Sequence, residues 1–179
     1  MTKWLVSDTH LFHEKLIQFQ RHEYKTIQDM NSHIIDMWKA TVLPEDTVYH
    51  LGDFAFGTDF EAIENIVKEL PGKVTLLLGN HDTPKKVALY TKYWKVASAI
   101  SLDGFVLSHM PIHPMLLEEN TPRSNGMSDR HNIHGHTHRG TVPDPRYFNM
   151  NWDVLGDRKF LPLQEVRDIL KSRTQELGK

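Results

Sequence analysis

The sequence contains no cysteine. Disulfides, thiolate nucleophiles and sulfur-ligated zinc or iron–sulfur sites are thereby excluded. No apolar run approaches the ~18 residues that a membrane-spanning helix needs. Charge of one sign is lacking too. The 21 basic residues stand against 23 acidic ones, for a net charge of −2, which gives no general drive toward nucleic acid or an anionic membrane. Internal repeats, low-complexity tracts and linkers are missing. At the start, Lys3-Trp4-Leu5-Val6-Ser7-Asp8 meets a charge too soon for the apolar core of a signal peptide. The expectation is a cytoplasmic protein without membrane partners.

What is present fits one domain over residues 1–179, with 25% charged and 39% hydrophobic residues. Histidine is the unusual count, at 12 residues. The apolar residues come in short blocks separated by helical patterns. Trp4-Leu5-Val6, Thr47-Val48-Tyr49-His50-Leu51 and Val74-Thr75-Leu76-Leu77-Leu78 read as strands. Between them, Thr26 caps a helix carrying Ile27, Met30, Ile34, Met37 and Trp38 that should stop near Pro44. Asp59 caps a second, with Phe60, Ile63, Val67 and Leu70 on one face. A shorter helix is expected near residues 83–92. This β-α-β-α-β order predicts parallel strands with helices packed outside. In the second half, strands are expected near residues 95–101, 104–108, 131–135 and 146–151, then a helix after Pro162. Residues 118–130 are polar and read as a long loop.

The chemistry stands at the strand ends. The first strand runs into Asp8-Thr9-His10, the second into Gly52-Asp53 and the third into Gly79-Asn80-His81-Asp82. Later strands run into Ser108-His109 and Gly135-His136-Thr137-His138. Ligands of open α/β sheets bind beyond the carboxyl ends of the strands, so these segments are expected to converge. Two carboxylates, an amide oxygen and four or five imidazoles exceed what one tetrahedral zinc takes. They suit two divalent ions sharing a carboxylate, about 3.5–4 Å apart, that clamp the attacking and leaving oxygens of an in-line displacement. Mixed nitrogen and oxygen donors favour manganese, iron, zinc or nickel over calcium or magnesium. Gly52, Gly79 and Gly135 each precede a candidate ligand, where the backbone must turn or pass close by.

The order Asp8-x-His10, Gly52-Asp53, Gly79-Asn80-His81-Asp82, His109, Gly135-His136-x-His138 resembles the calcineurin-like metallophosphoesterase superfamily. Ser7-Asp8-Thr9-His10 with His13, and Asn149-Met150-Asn151-Trp152-Asp153 ahead of Pro162, are similar to its small bacterial and phage-type members. The resemblance implies an αββα sandwich of two mixed sheets flanked by helices. It also implies that Asp8, His10, Asp53 and His138 hold one ion. Asp53, Asn80, His109 and His136 would hold the other, manganese being the first expectation and nickel, iron or zinc the alternatives. His81 would face the phosphate as general acid or electrostatic stabiliser. Asp82 would orient His81, and His134 would lie beside the site. His13, Arg123, Arg130 and Arg139 are the candidate substrate contacts. The phosphoprotein phosphatases of the superfamily continue Gly-Asp with Val-Asp-Arg-Gly, whereas Phe54-Ala55-Phe56-Gly57 stands here, without the phosphate-gripping arginine. The expected function is therefore hydrolysis of a small nucleotide-like or cyclic phosphodiester by a hydroxide shared between the ions. A phosphomonoesterase, a nuclease and a non-catalytic scaffold are the competing readings.

Overall fold

Strand β1 (Lys3–Val6) turns its side chains alternately to two different cores. Val6 joins one apolar cluster and Leu5 the other, as the two-residue period of a strand requires. The computed structural model describes residues 1–117 and 131–177, with side chains described through residue 173. The first sheet has the order β4-β3-β2-β1-β9. In it β1, β2 (Thr47–His50), β3 (Lys73–Leu77) and β4 (Lys95–Ala97) run parallel, and β9 (Leu161–Pro162) pairs antiparallel with β1. The second sheet has the order β5-β6-β7-β8. Here β5 (Ala99–Leu102) is antiparallel to β6 (Phe105–Ser108), while β6, β7 (His131–His134) and β8 (Tyr147–Asn149) are parallel. Both sheets are mixed, and helices flank them.

The helices follow from caps and apolar faces. Thr26 and Asp29 close a reciprocal capping box at the start of α2 (Ile27–Thr41). Its Met30, Ile34 and Trp38 lie buried against the first sheet. Asp59 caps α3 (Phe60–Glu69) through the Ala62 N–H, burying Ile63 and Val67. Pro84 opens α4 (Pro84–Tyr90), where its missing N–H costs nothing. On the other face, Leu5, Leu51 and Leu77 meet Leu107, Ile133 and Met150 of the second sheet region. Leu163, Val166 and Leu170 of α5 (Leu163–Leu177) share that cluster.

Three features depart from the sequence expectation. The block near residues 95–101 is two strands in two sheets, the chain changing sheets at Ser98. Both strands are edges whose residues stay largely half-buried or exposed, so no apolar pattern separates them. Helix α1 (Glu14–Phe19) was not expected: it is 6 residues long, has no side-chain cap and buries only Leu16. Strand β9, two residues long, falls below any readable period. The polar segment expected as a loop lies outside the described residues.

Candidate metal centre

The carboxyl ends of β1, β2, β3, β6 and β7 deliver the candidate ligands, and the loops carrying them are laced to one another. Asp8 N–H donates to the Gly52 carbonyl and His10 N–H to the Asp53 carbonyl, both at 3.0 Å. Gly135 N–H donates to the His109 carbonyl at 2.9 Å, tying the two segments of the second sheet. Asp8, His10, Asp53, His136 and His138 all hold positive φ, between 46° and 62°. Such backbone costs on the order of 1 kcal/mol or more per residue and clusters where function requires it. Two glycines permit the close approach. A Cβ on Gly79 would fall 2.1 Å from Asp53 Oδ1, and one on Gly135 would fall 2.0 Å from Ser7 Oγ and 2.2 Å from Asp8 Oδ2.

Two groups of donors converge. Asp8, His10 and His138 bring one ligand atom each within 4.8 Å of one another, as do Asp8, Asp53 and His109. Asp53 Oδ2 reaches both sides, 3.6 Å from His10 Nε2 and 3.4 Å from His109 Nε2. Asn80 Oδ1 completes a further convergence, 3.0 Å from His109 Nε2 and 2.9 Å from His136 Nδ1. Donors sharing one ion at about 2.0–2.2 Å stand roughly 3 Å apart, so these spacings fit a cation. The strongest sign is His10. Both of its ring nitrogens are buried without a hydrogen-bond partner, at a cost of about 1–3 kcal/mol for each unmet group. A divalent ion would supply a partner for one of them.

The far ring nitrogens are already committed. His109 Nδ1–H donates to the Leu51 carbonyl at 2.8 Å, and His138 Nδ1–H to Asp153 Oδ2 at 2.7 Å. Each bond leaves the Nε2 lone pair facing the site. Burial pushes the Asp8 and Asp53 carboxyls up, but the neighbouring imidazoles outweigh it and hold both below the usual range. They stay ionised, as cation ligands must. Burial lowers the His10 pKa. His138 is raised by its bond to Asp153; His109 is raised by Asp53 against the opposing effect of burial.

The other expected residues divide. His81 N–H donates to Asp53 Oδ1 at 2.8 Å, while its ring is part-exposed with Nε2 3.9 Å from Asp53 Oδ2. That ring lies beside both His10 and Phe56. His13 packs edge-on to Phe56, 5.5 Å from the His10 ring, and burial lowers its pKa to about 4. Asp82 does not orient the His81 ring. Its Oδ2 instead accepts the Asp53 and Gly79 N–H groups, each at 2.9 Å, and pins two ligand loops together. His134 is buried beside the site, donating from Nδ1 to the Gly135 carbonyl at 2.9 Å, and joins neither ligand group. Arg139 turns to the Gln20 carbonyl at 3.2 Å. Arg123 and Arg130 lie outside the described residues.

Sequence reasoning missed the residues that brace the site. Arg21 is buried, the Asp153 side chain is only 3% exposed, and both are bonded to ligand segments. Lys86 donates to the Ala55 and His81 carbonyls from a buried position, fixing the turn that carries His81. His50 is fully buried with both ring nitrogens satisfied. It donates from Nε2 to Thr9 Oγ1 and accepts from the Gly52 N–H, and so braces two ligand loops from below.

The calcineurin-like phosphoesterase superfamily domain matches residues 1–149. The Gene 66 protein of Mycobacterium phage D29 is 29% identical, over 93% of this chain and 94% of its own length. An uncharacterized protein of Methanocaldococcus jannaschii is 26% identical, over 82% of this chain and 74% of its own. A crystal structure of a protein of unknown function from Aquifex aeolicus superposes with a TM-score of 0.68 at 26% identity, covering 94% of this chain and 98% of that one. With a matching domain across most of its length and donors gathered at the strand ends, the chain belongs to the calcineurin-like phosphoesterase superfamily, a family of phosphoester hydrolases.

Proposed function

We propose that the protein is a phosphodiesterase working at a two-ion centre, with a small nucleotide-like or cyclic diester as substrate. Asp8, His10, Asp53 and His138 hold the first ion; Asp53, Asn80, His109 and His136 hold the second. The observation that carries the reading is Asp53 Oδ2, one carboxylate oxygen poised between His10 Nε2 and His109 Nε2 at 3.6 and 3.4 Å. The ions, when bound, supply hydroxide near neutral pH and neutralise charge building on the phosphate. The chain does the rest. Its strained loops hold the donors in place before the substrate arrives, so little reorganisation remains at the moment of reaction. The His81 imidazole, part-exposed at the rim, donates a proton to the departing oxygen.

The preference for a diester rests on what replaces the phosphatases' arginine. Phe54 and Ala55 are fully buried, and Phe56 stands at the rim against His13 and His81. Among the described residues the rim there offers rings and no guanidinium fork, which suits a substrate carrying one negative charge and a second organic group better than a dianionic monoester. The mixed nitrogen and oxygen donors admit manganese, iron, zinc or nickel, and manganese is the first choice on the family resemblance.

The test is hydrolysis of a chromogenic phosphodiester and its monoester by metal-stripped protein, with manganese, nickel, zinc, iron and magnesium restored separately. Diester cleavage that returns with metal and is abolished in Asp53→Asn supports the reading. Faster monoester cleavage would reassign it as a phosphomonoesterase. Silence on both, with ions bound, would favour a scaffold.

A further inference from the structure

Arg21 follows α1 and belongs to none of the metal-binding motifs. It is fully buried, and its guanidinium is committed on all three nitrogens. Nε donates to Asp153 Oδ1 at 2.8 Å, Nη1 to the Thr9 carbonyl at 2.8 Å and Nη2 to the Asp8 carbonyl at 2.6 Å. Thr9 lies between Asp8 and His10, both with positive φ, in the turn that aims the Asp8 carboxylate and the His10 ring. The other oxygen of Asp153 accepts the His138 Nδ1–H at 2.7 Å. One planar group therefore touches, directly or through one carboxylate, the segments bearing Asp8, His10 and His138. These are the three residues that the proposed first ion does not share with the second.

None of these contacts reaches the other half of the centre. Asn80, His109 and His136 are held by one another and by the Leu51 carbonyl. The side chains of the two halves thus have different supports, and the halves are joined at the His136 N–H, which donates to Asp8 Oδ2 at 3.1 Å. A buried ion pair is poor evidence for stability alone, because well-packed apolar residues of similar volume often serve as well. The planar fork, matching two carbonyls and a carboxylate at once, is geometry that a lysine cannot copy.

We propose that Arg21, acting through Asp153, is the positioning residue for the first ion, setting its affinity independently of the second. The proposal rests on the two-ion reading above. Carboxylate partners of metal-ligating histidines typically govern about 10–100-fold in metal affinity, and Arg21 adds the Asp8–His10 turn to the same brace.

The experiment is a calorimetric titration of metal-stripped protein with manganese alone, for wild type, Asp153→Asn, Arg21→Lys and Asn80→Ala. It is paired with electron paramagnetic resonance at increasing occupancy, which separates isolated manganese from a coupled pair. Wild type is expected to take up two ions. Asp153→Asn and Arg21→Lys should weaken one site at least about 10-fold, leave the other within about twofold, and show isolated ions at levels where wild type shows pairs. Asn80→Ala should weaken the opposite site. If wild type binds two ions and the Arg21 and Asp153 variants weaken both equally, or neither, the proposal is overturned while the two-ion reading stands. Wild type binding a single ion would overturn the two-ion reading itself. Should Arg21→Lys fail to fold by circular dichroism, Asp153→Asn decides alone, since it changes charge without changing volume.

Discussion

His10 Nε2 and Asp53 Oδ2 face each other at 3.6 Å in a buried setting, too far for a hydrogen bond and too close to be unrelated. A shared cation would account for the spacing, and Asp53 repeats it toward His109. Asp53→Asn removes the carboxylate charge that the two proposed ions would share. It should weaken manganese binding at both sites, each by at least about 10–100-fold, and abolish measurable hydrolysis. Calorimetry and inductively coupled plasma mass spectrometry of the purified variant check this. Retention of one ion at wild-type affinity would show that Asp53 does not bridge.

His81 is predicted to behave differently. Its backbone N–H braces Asp53, and that bond survives truncation of the side chain. His81→Ala should lower kcat by about 10²–10⁴, the usual range for a general acid, with both ions still bound. The loss should be smaller for a diester whose leaving group is already a weak base. Loss of either ion would reassign His81 as a ligand.

The parts of this site that were legible in the sequence are those carried by local pattern. Strand, glycine and polar ligand follow one another within a few residues at Leu51-Gly52-Asp53 and Leu78-Gly79-Asn80, so the strand ends announce themselves. Alternating apolar residues and the caps Thr26 and Asp59 did the same for the first three strands and two helices. The brace was not legible. Arg21 and Asp153 are 132 positions apart, so no local pattern pairs them. Asp82 sits beside His81 in sequence, yet its carboxylate turns back to the backbone of Gly79 and Asp53. Nothing in a linear pattern distinguishes those two directions. The sheet change at Ser98 was hidden for a similar reason, because edge strands carry little apolar signal.

Gly135→Ala tests the close approach directly. The added methyl would meet Ser7 Oγ and Asp8 Oδ2 at 2.0 and 2.2 Å, less than any real contact. Either the turn or the Asp8 carboxylate must move. Overpacking of this kind typically costs about 1–3 kcal/mol, so the melting temperature should fall by several degrees. Manganese affinity should fall with it, since Asp8 accepts the His136 N–H and faces His10. A variant as stable and as tightly loaded as wild type would mean that the loop is looser than its contacts imply.

The last prediction concerns acid stability and His50. Burial lowers its pKa to about 3, against about 6.5 for a histidine in an unfolded chain. The ring lies in the apolar layer against Trp38 and Phe54, neutral, with Nε2–H given to Thr9 and Nδ1 accepting from Gly52. Protonation would remove that acceptor and place a charge in the core. Below pH 6.5 the unfolded chain therefore binds a proton that the folded one refuses. The contribution of His50 is fully present above pH 6.5 and is lost as pH falls toward about 3, at close to 1.4 kcal/mol per pH unit in mid-range. His50→Asn, which titrates nowhere in this window, should unfold in urea with a pH dependence shallower by about one proton between pH 6 and 4. His10 and His13, whose pKa values burial also lowers, are common to both proteins and cancel in the comparison. So do His109 and His138, whose raised values act in the opposite sense. Parallel curves for wild type and variant would show that the folded protein admits a proton at His50 and that the Thr9–Gly52 brace survives it.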